Sequence, residues 1–284
     1  VDVRMIQVGE VTLAVAESGR GGHPLLLLHG FTGAKEDFTP WLDALAASGF
    51  HAVAPDHRGH GASDKPDDEA AYSFDVFAGD TLALADVLGF EHFHLIGHSM
   101  GGMIAQHVVL AAHDRVESLV LMDTGHGTVE MDPELVSWGL DLVRAEGMDA
   151  LADVLVSIEG PLYTEAYQRL IDSDPEHEAY GERKLRASSG AMYAAMGSAL
   201  VADHDRLDAV ASFAMPTLVV VGDEDAPFIG PSERLAAAIP SAELHVVPQA
   251  GHSPQFENPP AWEKAVFGFL EAQTGGHPDG VPEP

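Results

Sequence analysis

Apolar residues in this chain come in short runs cut by turn residues, and their spacing switches between strand-like and helix-like along the way. Val3–Val8 and Val11–Ala16, split by Gly9-Glu10, predict an antiparallel hairpin. Leu25–Leu28 is a continuous apolar run, as expected of a strand buried on both faces. Phe38, Trp41, Leu42 and Leu45 share one face of a helix predicted over Asp37–Ser48. Phe50–Ala54, Phe93–Ile96 and Ser118–Met122 read as strands, and Phe74–Leu88 and Met100–Ala112 as helices between them. From Gly125 to Arg206 the strand pattern disappears. Leu135, Trp138 and Leu142, then Met148, Leu151, Ala152 and Leu155, then Met192, Met196 and Leu200 recur at helical spacing. Alternation returns with Thr217–Val221, Pro231–Ala238, Glu243–Val247 and Pro260–Leu270. Gln273–Pro284 is rich in Gly and Pro without an apolar pattern and is expected to be a disordered tail.

Strands alternating with helices predict an α/β fold: a mostly parallel eight-stranded sheet with helices on both faces. Residues 1–124 and 207–272 would form this core, and 125–206 an all-helical cap inserted after the sixth strand. In such sheets, sites form beyond the carboxyl ends of the strands. His29, Ser99, Asp123 and Asp225 fall at or just past such ends, as does the loop carrying His252.

Composition narrows the setting. The chain has 284 residues, 46% of them hydrophobic, enough for one large core with an insert. It has no cysteine, which excludes disulfides, thiolate metal sites and a cysteine nucleophile. No basic-then-apolar signal peptide is visible, and the expectation is a cytoplasmic protein. No apolar run approaches the ~20 residues of a membrane span. Lys and Arg number 14 against 45 Asp and Glu, a net charge of −31. Such a surface repels phosphate backbones and anionic lipid, so neither nucleic acid nor membrane is an expected partner.

The candidate chemistry centres on Gly97-His98-Ser99-Met100-Gly101, between a predicted strand and a predicted helix. An abrupt strand-to-helix turn holds its central serine in a strained conformation, with the hydroxyl at a helix N-terminus where negative charge is favoured. A serine hydroxyl needs a base within reach. Of the 16 histidines, His252 follows the last apolar strand on a Gly- and Pro-containing loop and is the candidate. Gly222-Asp223-Glu224-Asp225 offers the acid that would orient it. Asp225 is preferred, Asp223 is second, and Asp123 competes from the preceding strand. Backbone N–H groups of Phe31 and Met100 are the expected oxyanion donors. His57, His60, His92, His94 and His98 lack the spacing of a metal site, and neither metal nor cofactor is expected.

Together, His29-Gly30-Phe31, the run Asp56-His57-Arg58-Gly59-His60-Gly61-Ala62-Ser63, Gly97–Gly102, Gly222–Asp225 and Gly251-His252 make the chain resemble an α/β-hydrolase with a helical cap. The resemblance spans residues 3 to about 270 and is least specific in the cap. It implies the order Ser99, Asp225, His252 for a catalytic triad, and the oxyanion amides of Phe31 and Met100. Relatives that open epoxides or cleave carbon–halogen bonds place an aspartate where this chain has Ser99. The serine members include esterases, lactonases, C–C bond hydrolases and perhydrolases.

Phe31, Trp138, Met192 and Met196 are the candidate substrate contacts, giving an apolar pocket. An anionic substrate would need a local cation, for which Arg144, Arg169, Arg183, Lys184 and Arg186 are the options. The expectation is an esterase or lactonase acting on a small, largely apolar ester or lactone, as a monomer or homodimer. A C–C bond hydrolase of ring-fission products and a slow-turnover small-molecule receptor are the alternatives.

Overall fold

The computed structural model describes residues 1–155 and 162–275. Eight strands form one sheet in the order β1-β2-β4-β3-β5-β6-β7-β8. β1 (Asp2–Val8) and β2 (Val11–Ser18) form the expected hairpin, with Val8 opposite Val11. β2 also runs antiparallel to β4 (Phe50–Pro55). β3 (His23–Leu28), β4, β5 (Phe93–His98), β6 (Val116–Met122), β7 (Thr217–Gly222) and β8 (Ala242–Val247) pair in parallel.

The run Leu25–Leu28 shows why the central strands lack polar alternation. Leu26 and Leu28 enter one core and Leu25 and Leu27 the other, and all four are fully buried. Burying a leucine contributes about 1.5–3 kcal/mol, so both faces of this strand stabilise the fold. Helices cover the two faces: α1 (Thr39–Ala47), α2 (Phe74–Leu88), α3 (Met100–Ala111) and, later in the chain, α9 (Leu207–Val210), α10 (Ala226–Ala238), α11 (Pro254–Glu257) and α12 (Pro259–Gln273). Between β6 and β7 lie α4 (Pro133–Glu146), α5 (Met148–Leu155), α6 (Glu165–Ser173), α7 (Pro175–Arg186) and α8 (Gly190–Val201).

Three local expectations shift. The predicted helix over Asp37–Ser48 divides into a 3₁₀ turn at Lys35–Asp37 and α1, because Phe38 leaves helical geometry and Pro40 restarts the helix. α10 begins at Ala226, not at Pro231, which stands inside it. On α4 the buried residues are Gly139, Leu140 and Val143, while Leu135 and Trp138 are 49% and 44% exposed. Both stripes have helical spacing, so periodicity alone did not choose between them. The predicted tail falls mostly outside the described residues; α12 reaches Gln273. Among the described residues, no helix is long and apolar enough to cross a membrane.

The inserted helices are tied to turns and loops of the core by polar contacts. Arg144 pairs with Glu69 at 2.8 Å, Lys184 with Asp37, and Arg169 with Glu224 at 2.8 Å. The Ala166 and Ser189 N–H groups donate to the Glu224 carboxylate and the Gly59 carbonyl.

Candidate functional site

Ser99 links β5 to α3 at φ 54° and ψ −120°. That backbone costs a residue with a Cβ about 1–3 kcal/mol and survives only where its surroundings over-determine it. The surroundings here are specific. The Ser99 N–H donates to Met122 O at 2.8 Å, and Thr124 Oγ1 donates to Ser99 O at 2.6 Å. A Cβ on Gly101 would lie 2.2 Å from Leu28 O, and one on Gly97 2.4 Å from Gly101 O. Only glycine lets α3 start this close to β3 and β5. Met100 opens α3 directly after Ser99, so its N–H belongs to the end of the helix where donors lack intrahelical partners.

Among the described residues, the non-glycine positions with positive φ are Thr32, Ser99, Asp123 and Gln249. Each lies on a loop past a strand's carboxyl end, beside a candidate site residue. Strain is thus gathered at the end of the sheet that carries the candidate site residues.

Asp225 occupies the N-cap position of α10 yet makes no side-chain cap to its own helix. An N-cap aspartate ordinarily accepts from the first-turn N–H groups. Here Asp225 Oδ2 lies 2.8 Å from His252 Nδ1 instead. Asp225 is fully buried, so this contact is shielded from solvent. The His252 ring also lies 4.8 Å, centroid to centroid, from Phe228.

The loop carrying His252 is tethered on three sides. Glu257 Oε2 accepts from the Gly251 and Ser253 N–H groups at 2.7 and 3.0 Å. His98 Nε2 lies 2.6 Å from the His252 carbonyl and must donate, since a carbonyl only accepts. Burial pushes the His98 imidazole down to about 4, so it donates as a neutral ring. Burial also raises the Glu257 carboxyl.

On the other side of Ser99, a Cβ on Gly30 would come within 3.0 Å of Ser99 Cβ, so the backbone leading to Phe31 passes against the serine. Behind that loop, His29, His57 and His60 are buried with ring centroids 4.3–6.0 Å apart. The His57 N–H donates to His29 Nε2 at 3.1 Å, and His29 Nδ1 faces Gly30 O at 2.9 Å. Burial holds His29 well below the imidazole range, His57 near 3 and His60 near 4. They form a neutral hydrogen-bonded wedge under the Phe31 turn.

The histidines clustered in sequence thus scatter in space. His94 contacts Ser118 and His92 contacts Asp114 O. Among the described residues, one group of three potential ligands does converge: Asp123, Asp225 and His252, with atoms within 4.8 Å of one another. His252 Nδ1 is already engaged by Asp225, so a cation there would compete with that hydrogen bond.

Of the four candidate substrate contacts, Phe31 stacks on Tyr193 at 4.8 Å and packs against the main core. Met192 and Met196 are fully buried in that core, Met192 lying over Gly59. Trp138 is on the exposed side of α4. A cavity of about 510 Å³ opens between α4 and α8, walled by Val129, Met131, Val136, Leu140 and Val201 among others. Ser99 and His252 are not in its walls. Leu140 connects the two regions, because Leu140 and Phe31 both pack over Gly197.

The roles of His98 and Glu257 were not read from sequence. Glu257 acts locally, six and four positions from the Gly251 and Ser253 N–H groups it accepts, whereas His98 and His252 are separated by 154 positions. Thr124 likewise acts only through the fold.

The comparisons with known proteins bear on the fold. A family model for the alpha/beta hydrolase fold matches residues 23–259. The chain is 30% identical over 283 residues to 2-hydroxy-6-oxononadienedioate/2-hydroxy-6-oxononatrienedioate hydrolase 2 of Pseudomonas putida, covering 94% of each chain. It superposes on the enol-lactonase from Burkholderia xenovorans LB400 with a TM-score of 0.82 at 26% identity, covering 94% of this chain and 99% of that one. A thermophilic esterase from Thermogutta terrifontis gives 0.82 at 27% identity, covering 96% and 99%. With its eight-stranded sheet, its serine elbow and a family match over most of its length, the chain belongs to the α/β-hydrolase fold family.

Proposed function

We propose that the protein is a serine hydrolase that cleaves a small, largely apolar carboxylic ester or lactone through an acyl-enzyme. The observation that carries this reading is the 2.8 Å contact between His252 Nδ1 and Asp225 Oδ2, at the same sheet end as the strained Ser99. With Nδ1–H donated to Asp225, the tautomer leaves Nε2 as the acceptor. Nε2 takes the Ser99 proton as Oγ attacks the carbonyl, and the oxyanion forms against the N–H groups of Phe31 and Met100. His252 then protonates the leaving group and activates the water that releases the acid. Asp225 stabilises the imidazolium in both halves. The helices α4–α8 act as the cap, and Phe31 is the apolar contact beside the acyl group, with Met192 and Met196 in the core behind it.

Charge supports a neutral substrate. Arg144, Arg169, Arg183, Lys184 and Arg186 each pair with a carboxylate, on Glu69, Glu224, Glu176, Asp37 and Asp153 respectively. A dianionic substrate would have to break one of these pairs. The second reading, C–C bond hydrolysis of a ring-fission product, draws on the 30% identical relative, whose name gives a hydrolase of 2-hydroxy-6-oxo-dienedioate and -trienedioate substrates.

The test is steady-state hydrolysis of p-nitrophenyl esters of graded acyl length, simple lactones and a ring-fission diketo acid, with Ser99→Ala as control. Turnover of esters or lactones, abolished in a folded Ser99→Ala, is the expected result. Turnover confined to the diketo acid would favour the second reading. Ester turnover retained by Ser99→Ala would overturn the nucleophile assignment.

A further inference from the structure

Asp123 lies past the end of β6, fully buried and at φ 46°, with no role in the chemistry above. Its Oδ1 accepts the Gly222 N–H at 2.9 Å. Its Oδ2 is buried and meets no donor. Asp225 mirrors it: Oδ2 is bound to His252, and Oδ1 is buried and meets no donor. The two carboxyl groups approach within 4.8 Å. Two ionised carboxylates cannot satisfy each other, because each only accepts, and a buried unpaired charge is costly. One proton between them resolves both orphaned oxygens.

We propose that Asp123 stands as a protonated carboxylic acid whose Oδ2–H donates to Asp225 Oδ1, making it a positioning residue for the partner of His252. The inference rests on the assignment of Asp225 as the triad acid. The pair then carries one negative charge. Asp123 is fixed in turn by Gly222, the last residue of β7, so the acid loop is pinned to the sheet from both sides. Asp223, next in the chain, turns away to accept the Ala250 N–H. The titratable groups around the pair are His252 and Glu257 from the histidine loop and α11, and His98 from β5. None of the principal influences on Asp123 is a lysine or arginine. Consistent with this, burial first and the Asp225 charge second hold the Asp123 carboxyl well above the usual carboxylate range.

Asp123→Asn separates this role from the alternatives. A carboxamide keeps the acceptor for Gly222 and supplies an N–H to Asp225. Its kcat/KM on an ester should stay within about twofold of the parent, with the acid limb of the pH profile unmoved, since the charge beside His252 is unchanged. Asp123→Ala removes the donor, and its kcat should fall by about tenfold or more with KM little altered. The infrared difference spectrum between the parent and Asp123→Asn at neutral pH should contain a protonated-carboxyl C=O band. Carboxylate bands in its place would overturn the proposal. So would an acid limb moved down by about half a unit or more in Asp123→Asn, the response to losing a second negative charge beside the histidine. The infrared measurement needs no turnover, so it decides for Asp123 even if Ser99→Ala disproves the hydrolase mechanism.

Discussion

Glu257 gives the sharpest test of how the histidine is held. It ends α11 and turns back, so that one carboxylate oxygen accepts the N–H groups on either side of His252. Hydrogen bonds to a charged acceptor contribute about 1.5–3 kcal/mol each when buried. Glu257 is only partly buried, and water can take over some of the freed donors. Glu257→Ala is therefore expected to cost about 2–3 kcal/mol, a fall of about 3–5 °C in Tm for a chain of this size. The kinetic effect should be larger than the stability effect. A displacement of about 1 Å at a catalytic group can cost about 10²-fold in rate. The loop keeps the His98 tether to its carbonyl, the Asp225 contact to its ring and the Ala250 bond to Asp223, but loses both N–H anchors flanking His252, so kcat should fall by about 10–10²-fold. KM should stay near the parent value, because Glu257 reaches the histidine loop and not the acyl group. Glu257→Gln keeps an acceptor oxygen and should lose no more than about threefold in kcat. The assay is ester hydrolysis with kcat and KM resolved, beside thermal unfolding of the same preparations. Parent-like kcat and Tm in Glu257→Ala would refute the reasoning, as would a loss confined to KM.

Gly101→Ala should destabilise the fold by several kcal/mol and abolish activity, because its Cβ would meet the Leu28 carbonyl at 2.2 Å; a parent-like urea midpoint would contradict the close approach. Stability should fall as pH drops from about 6.5 toward 4: His57, His60 and His98 are depressed to about 3, 4 and 4 in the fold, so the unfolded chain binds more protons in this window. Each such histidine withdraws about 1.4 kcal/mol per pH unit there, while Asp123, raised in the fold, works the other way and offsets about one of them. A urea midpoint that is flat or higher at pH 5.5 than at pH 7.5 would show that these rings are not held neutral.

The hydrophobic pattern by itself determined all eight strands, their mostly parallel arrangement and the site of the helical insert: in the central strands burial on two faces leaves unbroken apolar runs such as Leu25–Leu28, while the outer β1 and β8, largely exposed, keep polar residues among their apolar ones. Local geometry also marked the elbow, since the strained turn at Ser99 needs glycine at 97 and 101 within the same few residues. The paired Asp225 and His252 were legible through their place after consecutive strands.

Other features depended on contacts that no spacing encodes. Two helical stripes on α4 were equally periodic, and only packing against α8 selected Leu140 over Trp138. The start of α10 at Ala226 made Asp225 an N-cap whose side chain is free for His252, although Pro231 suggested a later start. His98 became a tether of the histidine loop because the fold brings the end of β5 beside the His252 carbonyl. Asp123 was recognisable in sequence as an acid at the site, but which carboxylate meets the imidazole and which meets the Gly222 N–H is visible only in the fold. Periodicity records how each segment meets solvent and core; which polar atoms meet one another is decided only when strands distant in sequence are brought side by side.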